Sequence, residues 1–85
     1  MVVIRNVIWM EKFERELKKV KDKTLKGRVK KQIQKILEDP ETGKLLRFEL
    51  KGERSIRISP YRLIYAVEGD TLYLLRFEHR KTVYL

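Results

Sequence analysis

Apolar positions along the chain change their spacing once, near its middle, and divide it into a helical front and a strand-rich back. From Met10 onward Phe13, Leu17 and Val20 recur at helical intervals. Leu25, Val29, Ile33, Ile36 and Leu37 do the same in the next segment, which predicts two amphipathic helices. Asp22 to Thr24 is a natural break between them, with Thr24 or Asp22 available as N-cap of the second helix. Ahead of the helices, Val2 to Val7 is apolar apart from Arg5 and Asn6 and predicts an opening strand. Pro40 disfavours helical geometry at Asp39, and Glu41-Thr42-Gly43 makes a turn. Beyond it the period becomes two. Phe48 and Leu50, Ile56 and Ile58, then Leu63, Tyr65 and Val67, and finally Tyr73, Leu75 and Phe77 mark four strands. Gly69-Asp70 turns between the last two. The layout is α+β: an N-terminal strand and a two-helix hairpin packed on one face of a small, mainly antiparallel sheet.

The other face of that sheet collects charge. If Ile56, Ile58, Leu63, Tyr65 and Val67 face the helices, alternation turns Ser55, Arg57, Ser59 and Arg62 away from them. With Leu75 and Phe77 on the covered side, Arg76 and Glu78 join the uncovered face, and Arg80 follows if the strand continues. Ile64, Leu72 and Leu74 are expected there too. A partly apolar floor ringed by arginine suits stacked bases and phosphates together. Clustered like charges cost stability, so such a face calls for counter-ions, an acidic partner or a bound anion. A lone strand arginine is more often a solvated or salt-bridged surface group, and Arg76 with Glu78 fits that description.

Composition narrows the partners. Eighty-five residues, 42% of them hydrophobic, build one small core, so residues 1–85 are expected to form one domain. A formal charge of +9, from 21 Lys+Arg against 12 Asp+Glu, favours nucleic acid, an anionic membrane surface or an acidic protein. Both halves are basic: residues 1–43 carry 12 basic and 7 acidic side chains (+5), residues 44–85 carry 9 and 5 (+4). The lysine-rich run from Lys18 to Lys35 is the expected polar face of the helices, since Leu25, Val29 and Ile33 punctuate it. The absence of cysteine excludes disulfides, cysteine zinc sites and thiol catalysis. With His79 the only histidine, neither a metal nor a cofactor is expected. No apolar run approaches the roughly 18 residues that span a bilayer, and MVVIRNVIWMEKF lacks the order of a signal peptide. A cytoplasmic protein without membrane attachment is expected.

At the basic strands the chain resembles the RelE/ParE toxin superfamily, and within it the RelE-type mRNA interferases of type II toxin–antitoxin systems. PYRLIY resembles that family's GDYRIIY element, SIRI its preceding RIRV strand, and HRKTVY its HRKEVY ending. The front helix with Trp9, Phe13 and Leu17, the Pro40 bend, and Leu50-Lys51-Gly52 fall where the family has comparable elements, so the resemblance spans almost the whole chain. Trp9 is expected to anchor the first helix to the sheet. The RelE branch is favoured over the gyrase-poisoning ParE branch because the arginine and terminal tyrosine positions are occupied.

The resemblance implies metal-independent cleavage of mRNA in the ribosomal A site, by attack of a ribose 2′-hydroxyl on the adjacent phosphate. It also implies an acidic RelB-like antitoxin as partner. Such chemistry needs a base for the hydroxyl, positive charge for the transition state and an acid for the departing 5′-oxygen. Arg62 and Arg80 suit transition-state stabilisation, since a guanidinium is permanently charged and holds two phosphate oxygens. Arg57 completes the clamp or acts as a donor, and Tyr84 stacks on a base or orients the 2′-hydroxyl. Lys51 and His79 are the first candidates for the base, with Tyr84 behind them, and the residues do not choose among them. One position departs from the family pattern: Ser55 stands where a basic residue is common, two before Arg57. The alternatives are a ParE-like inhibitor of DNA gyrase and a noncatalytic RNA-binding module.

Overall fold

A computed structural model of the chain describes residues 3–46 and 52–80. Its elements run β1 (Asn6–Trp9), α1 (Glu11–Lys18), α2 (Lys23–Glu38), β2 (Lys44–Leu45), β3 (Glu53–Ile58), β4 (Tyr61–Glu68) and β5 (Thr71–His79). The strands form a single mixed sheet in the order β1-β5-β4-β3-β2. β1 pairs with β5 in parallel and the other neighbours are antiparallel. The expected α+β architecture is therefore present. The opening strand lies later than the Val2–Val7 pattern placed it, because the parallel pairing runs from Asn6 opposite Thr71 to Trp9 opposite Leu74. The strand expected around Phe48 and Leu50 lies outside the described residues.

Each helix follows from its sequence. α1 carries Glu11 and Glu14 in its first turn and Arg15 and Lys18 in its last, the arrangement a helix dipole favours, and buries Phe13. Val20 comes after its end yet is buried with the core. α2 buries Leu25, Val29, Ile33 and Ile36 along one stripe. Of the two possible N-caps, Asp22 takes the role: its Oδ1 accepts the Thr24 N–H at 2.8 Å and the Leu25 N–H at 3.3 Å. Asp39 is extended, as expected before proline, and its Oδ1 accepts the Glu41 N–H at 3.1 Å to shape the bend.

That bend is fastened to the sheet by Tyr65. Its hydroxyl donates to the Pro40 carbonyl at 2.9 Å and accepts the Gly43 N–H at 2.9 Å. A Cβ on Gly43 would stand 2.7 Å from Tyr65 Cε1, so only glycine fits. Arg54 Nη1 adds a bond to the Gly43 carbonyl at 2.9 Å. On the far side of α2, Arg28 Nη1 reaches the Ser59 carbonyl at 3.0 Å and ties the helix to the β3–β4 turn.

The core lies between the helices and one sheet face. Phe13 meets Phe77 edge-on at 5.8 Å, Tyr61 stacks on Phe77 at 4.5 Å, and Trp9 meets Phe13 edge-on at 5.6 Å. One expectation about this face is corrected. Leu72 and Leu74, expected on the uncovered side, are fully buried in the core, and Tyr73 takes the outer side opposite Ala66. The cause is a β-bulge: Ile64 pairs with Arg76 while Tyr65 pairs with Leu74, leaving Leu75 as an extra residue. The extra residue reverses the alternation within β5, so Leu72, Leu74 and Phe77 all point inward although their spacing is not strictly two. No described helix is long and apolar enough to cross a membrane.

Candidate functional site

The sheet face away from the helices is built as cross-strand rows. Arg57 on β3 pairs with Arg62 on β4, and Arg62 pairs with Glu78 on β5. The neighbouring row runs Lys44, Ser55, Ile64 and Arg76 across four strands. Glu53 lies in the next row, opposite Ala66. Residues paired across a ladder share a face, so these rows gather Lys44, Arg57, Arg62 and Arg76 with Glu53 and Glu78. Four cations against two carboxylates leave this patch at net +2.

Its carboxylates are engaged unequally. Arg76 Nη2 bonds Glu53 Oε1 at 2.8 Å, a short charge-assisted contact between side chains only 22% and 20% exposed. Glu78 is held loosely, its Oε1 3.5 Å from Arg62 Nη2 and its Oε2 3.8 Å from Arg76 Nε. Arg62 also has its Nε buried without a hydrogen-bond partner, so this guanidinium is not fully satisfied by Glu78. Arg57 is exposed and forms no ion pair or hydrogen bond among the described residues. Placing two guanidiniums directly opposite each other is unfavourable. Glu78 on the far side of Arg62 offsets part of that repulsion. Ile64, fully buried yet outside the core cluster, forms an apolar floor beside them.

The sequence-derived residues separate into three groups. Arg57 and Arg62 come together on the open face, and Arg80 follows Glu78 at the next alternate position, exposed, with its backbone N–H bonded to the Pro60 carbonyl at 2.8 Å. His79 belongs to the opposite face. It pairs with Tyr61, which itself pairs with the buried Ile58, and its ring meets Tyr61 edge-on at 5.0 Å. Lys51 and Tyr84 lie outside the described residues. Two residues escaped the sequence reading as members of this site. Lys44 stands directly across from Ser55, so a cation adjoins the position where the basic residue is missing. Glu78 was expected on this face, but only as a surface ion-pair partner of Arg76. Its placement in the Arg57–Arg62 row depends on the bulge, which no sequence pattern signalled.

Comparison with known proteins agrees with the resemblance read from the basic strands. The sequence profile of a family described as ParE toxin of type II toxin-antitoxin system, parDE, matches residues 7–84. No curated protein matches the chain. Among solved structures, the chain is similar to the toxin–antitoxin complex RelBE2 from Mycobacterium tuberculosis. The identity is 32% and the TM-score 0.75, over 92% of this chain and 100% of that one. It is also similar to the RelB–RelE antitoxin–toxin complex from Methanococcus jannaschii, at 26% identity and TM-score 0.73, over 91% and 94% of the two chains. The YoeB/ParE toxin from Agrobacterium tumefaciens shares the fold, with TM-score 0.77 at 19% identity over 88% of this chain and 98% of that one.

Proposed function

The chain belongs to the ParE toxin family of type II toxin–antitoxin systems, and from that premise and its open arginine face we propose a ribosome-dependent endoribonuclease toxin. Its substrate is mRNA in the ribosomal A site, cut when a ribose 2′-hydroxyl attacks the adjacent phosphate. The observation that carries this reading is the cross-strand pair of Arg57 and Arg62, directed away from the core. Adjacent strands lie about 4.8 Å apart, so two guanidiniums at that spacing can grip one phosphate from two sides. Arg57 lacks a protein partner among the described residues and Arg62 Nη2 meets Glu78 only at 3.5 Å, so both have donors to spare. Both stay charged at any physiological pH and stabilise the charge that builds on the phosphorane-like transition state. Arg80 extends the clamp from the end of β5, and Tyr84 stacks on a base of the substrate.

We also propose a heteromeric, cytoplasmic complex with an acidic antitoxin, a partner that the same positive charge favours. Between the helices lies an open groove of about 570 Å³ whose lining includes Trp9, Leu17, Val29 and Ile33, rimmed by lysines such as Lys26 and Lys30. An amphipathic acidic helix fits it, apolar side inward and carboxylates toward the lysines.

Cleavage is tested by translating a defined mRNA in a purified system and mapping its ends by primer extension. Codon-level ends that depend on Arg62 are expected. A second reading, inhibition of DNA gyrase, is favoured by the ParE description of the matching family. It predicts loss of supercoiling activity with purified gyrase and intact mRNA. RNA retention on ribosomes without new ends would instead identify a noncatalytic RNA-binding module.

A further inference from the structure

Arginines stabilise a transition state but do not take the proton from the attacking hydroxyl, and of the candidates named for that task Lys51 and Tyr84 lie outside the described residues. His79 lies on the helix side of the sheet, against Tyr61. The open face holds two carboxylates, and they differ in availability. Glu53 is taken up by the 2.8 Å bond from Arg76. Glu78 has only the two long contacts at 3.5 and 3.8 Å, neither a hydrogen bond, so its oxygens retain accepting capacity among the described residues.

We propose that Glu78 is the general base of the cleavage reaction. The inference rests on the endoribonuclease reading. A phosphate gripped by Arg57 and Arg62 lies in the row that Glu78 ends. The step of about 4.8 Å from one strand to the next matches the reach from a held phosphate to its neighbouring 2′-hydroxyl. Glu78 Oε takes the hydroxyl proton as the 2′-oxygen forms its bond to phosphorus. The phosphorus–O5′ bond breaks with its electron pair on the 5′-oxygen, which takes a proton from solvent on the opposite side. The products are a 2′,3′-cyclic phosphate and a 5′-hydroxyl, and protonated Glu78 returns its proton to water. The charged groups on its side of the sheet are Arg62 from β4, Arg76 from β5, Arg80 just past its end, and Arg57 and Glu53 from β3. This cationic surround keeps the carboxylate in place without closing its lone pairs. It also offsets the repulsion between a carboxylate and the RNA backbone.

The competing role for Glu78 is that of a counter-ion only, and the two roles predict opposite effects of removing its charge. Wild type, Glu78→Gln and Glu78→Asp are compared on programmed ribosomes by single-turnover cleavage across pH. Ribosome binding is measured in parallel with an mRNA carrying a 2′-deoxy residue at the cut site. For Glu78→Gln we expect cleavage to fall on the order of 10²–10⁴-fold. Binding is unchanged or tighter. Glu78→Asp, which keeps the carboxylate, cleaves faster than the Gln variant. The inference is overturned if Glu78→Gln cleaves within about threefold of wild type, or if both variants lose binding and cleavage in parallel. A wild type that yields no ends on programmed ribosomes instead removes the endoribonuclease reading, and the base with it.

Discussion

Tyr65→Phe removes one oxygen atom and, with it, the junction between the helical half and the sheet. The hydroxyl serves two backbone groups, the Pro40 carbonyl and the Gly43 N–H, each at 2.9 Å. Losing two hydrogen bonds costs about 1 kcal/mol each, and leaving the N–H of the buried Gly43 unpartnered adds about 1–3 kcal/mol. A total of about 3–5 kcal/mol is expected, a large share of the roughly 5–15 kcal/mol that holds a domain together. Urea unfolding followed by circular dichroism measures it, with Tyr73→Phe as control. The Tyr73 hydroxyl makes no hydrogen bond among the described residues, so that change should stay within about 0.5 kcal/mol. The same residue sets an alkaline limit. Burial raises the Tyr65 phenol above its ordinary value of 10.0, opposed by the Gly43 hydrogen bond and by Arg54. Folding therefore favours the protonated phenol. Its contribution is complete below pH 10 and is lost as the pH rises from there through the elevated folded value. Wild type should lose stability relative to Tyr65→Phe over that range. Equal midpoints for wild type and Tyr65→Phe near neutral pH would refute the assignment of the bend to this hydroxyl.

Other perturbations test the open face and the groove. Arg62→Lys keeps the charge but loses the fork that grips two oxygens, and should lower single-turnover cleavage about 10²-fold with ribosome binding largely retained; an undiminished rate would remove Arg62 from the transition-state clamp. Lys44→Ala should weaken ribosome binding and reduce its salt dependence by about one unit of slope, and adding Ser55→Lys should restore both, since the two positions are direct cross-strand partners. Failure of that rescue would show that Lys44 does not stand in for the cation missing at 55. Gly27 lines the groove and has nothing within 4 Å of an added Cβ, so Gly27→Glu should fold normally while weakening antitoxin affinity about tenfold or more, as measured by calorimetry. Unchanged affinity would place the acidic partner elsewhere.

Much of this architecture was legible because periodicity is a direct trace of burial. The stripe of Leu25, Val29, Ile33 and Ile36 reads as one helix face, and Ile56, Ile58, Leu63 and Tyr65 read as one sheet face, because in those segments the backbone keeps a constant period. β5 does not. The bulge at Leu75 inserts one residue, and the inside and outside positions exchange on passing it. From the sequence, Tyr73 and Leu75 therefore looked buried with Phe77, whereas Leu72 and Leu74 are. Register was equally hidden. Which residue of β2 stands beside Ser55 depends on the pairing Lys44↔Ser55, and alternation within each strand carries no such information. Arg57 and Arg62 were found because β3 and β4 keep a constant period of two, which sends both to the uncovered face.

The charge of the open face raises a question that composition could only pose: how a surface dense in guanidiniums remains folded before it meets RNA or antitoxin. The answer lies in Glu53 and Glu78, which alternate with the cations. Glu53 fixes Arg76 at 2.8 Å and draws it out of the set that can meet a ligand. Glu78 spans Arg62 and Arg76 without saturating either. One carboxylate thus acts for stability, and the other lowers the repulsion between Arg57 and Arg62 at a distance that an incoming phosphate can contest. If both were replaced by glutamine, the free protein would lose the charged partners of Arg62 and Arg76 while its attraction for polyanions rose. Stability and RNA affinity would then move in opposite directions, the behaviour expected where a binding surface is assembled against its own electrostatic preference.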